Sequence, residues 1–255
     1  MTTISRRHAL AAGLGFGAAA LGGTQVSAQP LIALPSDLVN GDAATITAVR
    51  TPSRVVAMTF DDGPHPTNTP RLLDMLRERG LRATFYLIGD RVVSYPQIAR
   101  RIAEDGHEIG NHSWSHPFLD QLSDGQVIRE IDRTTDAIYQ VTGRPPVTFR
   151  PPYGAFTRRQ RTWLHAGRTL PTILWSVDPQ DWRRPGARTV SDRILRHSHQ
   201  GAIILSHDIH RGTINAMPRA LDGLTARGMT FVTVSQIIGW PLWQSRNFRR
   251  VVQSG

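Results

Sequence analysis

The sequence predicts a single-domain α/β fold, a (β/α) barrel or a doubly wound sheet, and three observations predict it. From Arg54 onward, about seven apolar runs of strand type alternate with amphipathic helical stretches. Glycines at positions 80, 106, 143 and 228 stop helical stretches. Five of the strand runs lead into polar or ionisable residues, at Asp61, His112, Arg150, Asp178 and His207. In a barrel such strand ends share one rim.

Taken in order, Ser5-Arg6-Arg7 precedes an Ala/Gly/Leu run, and Val26-Ser27-Ala28 offers a small-x-small cleavage site. Residues 1–28 therefore read as a signal peptide of the twin-arginine type. The run is too short and glycine-rich for a comfortable membrane span. The expectation is an exported protein, periplasmic or extracellular, with no stable span once the signal is cleaved. Residues 29–53 read as an N-terminal extension, residues 54–239 as the α/β domain, and residues 240–255 as a basic tail.

Within the domain the first strand runs from Arg54 and ends at Phe60, where Asp61-Asp62-Gly63-Pro64 forms a turn. A helix is expected over 69–79, with Leu72, Leu73 and Leu76 on one face. A strand follows over 83–88, a helix over 95–105 and a short strand over 107–110. Ser123 opens a helix, with Gln126 completing a capping box. Residues 146–149 read as a strand, 158–165 as a helix and 172–177 as a strand. The remainder reads as a helix over 190–197, a strand over 201–205, a helix over 215–226, a strand over 229–232 and a short segment over 235–238.

The formal net charge is +10, and all thirty Lys-plus-Arg positions are arginine. Removing residues 1–28 takes away two arginines and no acid, leaving +8. The arginines are scattered and not interleaved with aromatics, which argues against nucleic acid as the partner. There is no cysteine, which excludes disulfides, thiolate metal sites and a cysteine nucleophile. There is no H-E-x-x-H, so a metalloprotease fits poorly.

The chemistry-bearing residues sit on the strand ends. Asp61 and Asp62 point opposite ways if the backbone stays extended, so they can serve one centre in two roles. His112 and His116 are spaced i and i+4, and on a helical turn they share a face. Two imidazoles and one carboxylate make a facial set for a divalent metal, here Asp62, His112 and His116. Asp61 is placed to act as a base, with Arg150 holding it ionised through a charge-assisted hydrogen bond. His207 is the candidate acid, supported by Asp178 or Asp181. The stiff turn through Pro151, Pro152 and Tyr153 can aim a backbone N–H at a developing oxyanion. Trp182 and Leu205 can wall off a small acyl methyl group.

Five segments together resemble the polysaccharide deacetylases of carbohydrate esterase family 4. They are Thr59-Phe60-Asp61-Asp62-Gly63, His112-Ser113-Trp114-Ser115-His116, Arg150-Pro151-Pro152-Tyr153-Gly154, Asp178-Pro179-Gln180-Asp181-Trp182 and Leu205-Ser206-His207-Asp208. The resemblance implies a distorted, TIM-barrel-like (β/α) barrel with fewer than eight strand–helix units, and residues 54–239 as the catalytic domain. It implies Asp61 as base, His207 as acid, and Asp62, His112 and His116 as ligands of a divalent ion. Zinc is the family's usual ion, and cobalt or another divalent ion serves some members. It favours Asp181 over Asp178 as the partner of His207. The implied activity is removal of N-acetyl groups from an N-acetylglucosamine-containing glycan, with release of acetate. O-deacetylation of an acetylated polysaccharide is the alternative chemistry, and non-catalytic glycan binding the alternative class.

Overall fold

The structure, a computed structural model, describes residues 37–39 and 45–240. The predicted signal at 1–28 and the tail beyond Trp240 lie outside the described residues. Strands β1 (Asp37–Val39), β2 (Thr45–Ile46) and β3 (Ala48–Arg50) precede the main strand, β4 (Val55–Asp61), which is buried along its whole length. Helix α1 (Asn68–Glu78) leads to β5 (Thr84–Leu87), then α2 (Gly89–Ser94), α3 (Pro96–Glu104) and β6 (Glu108–Asn111). Helix α4 (Asp124–Thr142) starts on the predicted Ser123–Gln126 capping box and ends at Gly143, whose φ is 72°. Next come α5 (Arg158–Arg168), β7 (Thr172–Ile173), α6 (Ala187–His197) and β8 (Ala202–Ile204). The chain continues with α7 (Arg211–Ala226), β9 (Thr230–Phe231) and α8 (Val234–Ile237).

The parallel strands close on themselves, which selects the barrel over the open sheet. β4 pairs with β5, and β5 with β6. Asn111 bridges Phe149, Phe149 bridges Thr172, and Val177 bridges Ile204 of β8, which pairs back onto β4. The ring is distorted because half of it rests on single bridges rather than ladders. β3 adds to β8 antiparallel, and β2 pairs with β7, so residues 45–50 are hydrogen-bonded into the sheet.

Strand alternation sorts the core into two layers. Val56, Met58 and Phe60 of β4 pack outward with Leu72, Leu73 and Leu76 of α1 and Met217, Leu221 and Leu224 of α7. Val55 and Ala57 pack inward with Tyr86, Ile173 and Ile203. The inward row continues to Thr59 and Asp61, whose side chains both bond the Arg150 guanidinium. Gly110 on β6 lets the inward Tyr86 ring pass: a Cβ there would lie 2.3 Å from the ring.

Several expected elements differ. β4 includes Asp61, because its N–H donates to the Ser206 carbonyl at 2.8 Å and it pairs with Tyr86. The strand expected at 146–149 is reduced to the bridges of Phe149. Prolines at 145, 146, 151 and 152 remove donors at both ends, and the Phe149 and Arg150 N–H groups are left to bond the Pro171 and Asn111 carbonyls. The strand expected at 172–177 shrinks to β7 because the chain changes neighbours, from Phe149 to Ile204. The helix expected at 95–105 is preceded by α2, and Tyr95 (φ −133°) breaks the two apart before Pro96.

Candidate active site

β4 ends with Asp61 still in the sheet. Asp62 then turns into the left-handed region at φ 72°. The two carboxylates therefore differ by more than strand alternation: one is held in the ladder, the other swings over the rim.

His112 follows β6 directly. The segment from His112 to His116 is not helical, contrary to the expected helical turn. Ser113 and His116 adopt φ of 65° and 63°, and this tight loop turns both rings toward Asp62. The loop is pinned from outside. Asn111 Oδ1 accepts from the Ser113 N–H at 2.9 Å, and Ser113 Oγ accepts from the His116 N–H at 3.1 Å. Glu130 Oε2, from α4, accepts from the N–H groups of Trp114 and Ser115, each at 2.8 Å.

The ligand atoms of Asp62, His112 and His116 all lie within 4.8 Å of one another. Asp62 Oδ1 is 3.4 Å from His112 Nε2 and 3.1 Å from His116 Nε2. His112 Nδ1 lies 2.7 Å from the Arg150 carbonyl. A carbonyl only accepts, so Nδ1 carries the proton and Nε2 turns its lone pair to the site. Burial pushes the Asp62 carboxyl up, but the two imidazoles outweigh it and hold it well below the usual carboxylate range. Asp62 Oδ1 is buried and receives no hydrogen bond. A buried anionic oxygen without a donor, facing two imidazole nitrogens, fits a divalent cation.

Asp61 sits beside this set, with Oδ2 3.7 Å from His112 Nε2. Arg150 is fully buried inside the barrel. Its Nη1 donates to Asp61 Oδ1 at 2.7 Å and to Thr59 Oγ1 at 2.6 Å. Its Nε and Nη2 are taken by the Ile173 and Leu174 carbonyls at 3.2 and 3.1 Å, and it lies 4.2 Å over the Tyr86 ring. Each nitrogen of the guanidinium is used, so one oxygen of Asp61 is fixed.

His207 lies next to Asp61, since the two residues form a parallel bridge. Its Nδ1 is 2.8 Å from Asp181 Oδ1, and Asp181 Oδ2 accepts from the His207 N–H and the Thr213 hydroxyl, each at 2.7 Å. Burial disfavours the imidazolium, but the Asp181 hydrogen bond and charge, with Asp61 and Asp62 behind them, raise its pKa to about 9. Asp178 does not reach His207. It accepts from the Gln180 N–H at 2.7 Å and lines the cavity.

A cavity of about 380 Å³ brings these groups together with Tyr153, Trp182, Leu205 and Trp175. Tyr153 adopts φ 59°; Gly154 and Ala155 donate their N–H groups to the Pro151 and Pro152 carbonyls. The Tyr153 N–H is the first after two prolines. Its ring packs edge-on to His116 at 4.6 Å and stacks on Phe118 at 4.0 Å. Sequence reasoning missed Trp175, Thr59, Thr213 and Glu130. Glu130 and Thr213 are ordinary polar helix residues in sequence, and only the packing of their helices on the rim gives them a role. His210 lines the cavity as well, 5.9 Å ring to ring from His207.

Comparisons with known proteins show the family to which the chain belongs. Residues 48–166 match the polysaccharide deacetylase family. The chain is 37% identical over 198 residues to a chitooligosaccharide deacetylase of Bradyrhizobium sp. (strain ANU 289), covering 77% of this chain and 87% of that protein. It is 40% identical over 184 residues to the peptidoglycan-N-acetylmuramic acid deacetylase PdaC of Bacillus subtilis (strain 168), covering 72% of this chain. The match spans only 38% of the length of that relative. A solved peptidoglycan N-acetylglucosamine deacetylase superposes with a TM-score of 0.74 at 32% identity, covering 77% of this chain and 94% of its own. The chain belongs to the polysaccharide deacetylase family, carbohydrate esterase family 4.

Proposed function

We propose that this chain removes N-acetyl groups from N-acetylglucosamine-type units of a glycan, releasing acetate and leaving a free amine. One observation carries the reading: a tethered carboxylate (Asp61 on Arg150) and a tethered imidazolium (His207 on Asp181) share one cavity with an Asp62–His112–His116 cation set. This pairing supplies a base and an acid on either side of a scissile amide.

Asp62, His112 and His116 would hold the divalent ion, zinc by family habit, and the dication would polarise the acetamido carbonyl and acidify a water. Asp61 Oδ2, the oxygen not held by Arg150, takes the proton from the attacking water. The Tyr153 N–H stabilises the oxyanion as the carbonyl carbon becomes tetrahedral. His207 Nε2 gives its proton to the departing nitrogen, which leaves as the amine. Trp182 and Leu205 enclose the acetyl methyl, so the small acyl group selects itself by fit. Export by the predicted signal at 1–28 is part of this reading.

Asp61→Asn keeps the shape and the Arg150 contact but removes the base. Acetate release from N-acetylglucosamine oligomers is expected to fall about 100- to 10,000-fold. Activity near the wild-type level would show that the base is wrongly assigned. An ester substrate panel, acetylxylan against the oligomers, tells N- from O-deacetylation.

A further inference from the structure

Trp182 and Leu205 wall the place given to the acyl methyl, with Tyr153 beside them in the same cavity. Trp182 and Tyr153 are 47% and 57% exposed. Walls that open to solvent do not by themselves limit how long an acyl chain can be. Trp175 differs from them. It lines the cavity, is half-buried, and packs on the inward core layer that contains Ile173 and Ile203. Among the described residues it is the cavity-lining side chain that rests on this layer.

The backbone explains the placement. The Ile203 carbonyl accepts from the N–H groups of both Ser176 and Val177, at 3.0 and 3.2 Å, so two residues oppose one. This is a β-bulge, a device that re-aims side chains beside active sites. Before it, Ile173 and Trp175 pack inward. Simple alternation would send Val177 the same way. Instead Val177 bridges Ile204 and packs in the outward layer, and Asp178 reaches the cavity. Trp175 is thus the last inward ring of this segment below the rim. The far end of its indole crosses to the opposite turn: a Cβ on Gly154 would stand 3.4 Å from Trp175 Cη2. The Arg150 guanidinium lies 5.8 Å from the ring and is itself held by the Ile173 and Leu174 carbonyls.

We propose that Trp175 is the floor of the acyl pocket and a specificity-determining residue that limits the acyl group to two carbons. This deepens the deacetylase reading and rests on it. In that reading the carbonyl oxygen meets the Tyr153 N–H, and Gly154 is the next residue. A ring that reaches Gly154 from the barrel interior lies at the depth a longer chain would need. Core below and the Tyr153–Gly154 turn beside it leave the indole no room to step aside, so an added methylene meets a fixed surface.

The test compares glucosamine trimers that carry N-acetyl, N-propionyl or N-butyryl groups, on the full zinc-loaded chain. Wild-type kcat/KM is expected to fall about tenfold or more for each added methylene. Trp175→Leu should raise the propionyl-to-acetyl ratio of kcat/KM about tenfold or more. Trp175→Phe keeps an aromatic ring on the core and should raise the same ratio by less. It serves if the leucine variant fails to fold. Both substrates are read on one preparation, so a loss of folded protein lowers both rates and leaves the ratio unchanged. Binding of the acetyl and butyryl trimers to Asp61→Asn protein, with and without Trp175→Leu, is followed by calorimetry, and the substitution should narrow the gap between them. An unchanged ratio in the variants, or a wild type that releases all the acids alike, overturns the floor and leaves the deacetylase reading intact. Absence of acid from every trimer, with a binding gap that Trp175→Leu narrows, overturns the deacetylase reading and upholds the floor. Absence of both acid and binding gap overturns both.

Discussion

Burial alone would drive the His207 imidazolium toward its neutral form; Asp181 reverses the balance, with Asp61 and Asp62 adding to it. The folded pKa of about 9 lies above the ordinary histidine value, so the stabilisation it brings is complete below about pH 6.5 and is lost as pH rises through 9. Asp181→Asn removes the charge and leaves the burial. In metal-free protein the His207 titration, followed by NMR, should drop from about 9 to below 6.5. Asp208 is the opposite case. It is fully buried beneath Gly63, where a Cβ would come within 2.5 Å of its Oδ2. Burial pushes its carboxyl up to about 7, against the hydroxyl that Thr69 donates to it. A raised acid is best tolerated below its unfolded pKa, and stability is lost as pH rises through the folded one. Relative to Asp208→Asn, the natural chain should lose about 4 kcal/mol at most between about pH 4 and 7, read from denaturant unfolding at several pH values.

The His112–His116 loop shows what an element adds to its residues. An i, i+4 histidine pair reads as a helical clamp, and the sequence supports that reading as far as it goes. The fold replaces the helix with two left-handed residues, and the loop keeps that shape because Asn111, Ser113 and Glu130 take its N–H groups. Asn111 and Ser113 act locally, but Glu130 acts across the fold. Glu130 lies fourteen residues beyond His116 on a helix whose pattern only reports an apolar face. Glu130→Ala is expected to leave the fold intact and lower metal affinity about 10- to 100-fold, measured by competition with a chelator. Legibility follows the same division. The candidate set was legible because its members follow strand-like runs and belong to a five-segment pattern. The apolar strands and the capped helices were legible from period and cap chemistry. The strand at 146–149 was not, because its failure depends on which neighbour can supply a donor, and α2 was not, because Gly89 to Ser94 has no apolar period of its own. Asp178 and Asp181 are separated by the turn between them, where Gln180 goes left-handed at φ 53° and only Asp181 faces His207.

At the scale of the molecule, the cation set is assembled from chain ends that meet only when the barrel closes. Asp62 comes from the turn after β4, while His112 and His116 come from the loop after β6, and the two strands are joined through β5. The unfolded chain has the same three residues but no shared position for them. A divalent ion held by these three residues would therefore bind the folded chain in preference to the unfolded one, and its binding free energy would add to folding stability. With zinc at about one hundred times its dissociation constant, the added stability is about 2.7 kcal/mol, enough to raise Tm by several degrees. His112→Ala or His116→Ala should abolish that rise. The Arg150 guanidinium lies under the same rim and holds Asp61 from the barrel interior, while only its backbone carbonyl, which a side-chain substitution keeps, meets the candidate ligand His112. Arg150→Met at that position should lower Tm with or without zinc, because a buried carboxylate loses its partner, yet the zinc-dependent increment should persist. A melt of the three variants against zinc concentration separates the two contributions: loss of the increment in Arg150→Met would mean that the base and the cation set are one folding unit rather than two parts brought to a common rim.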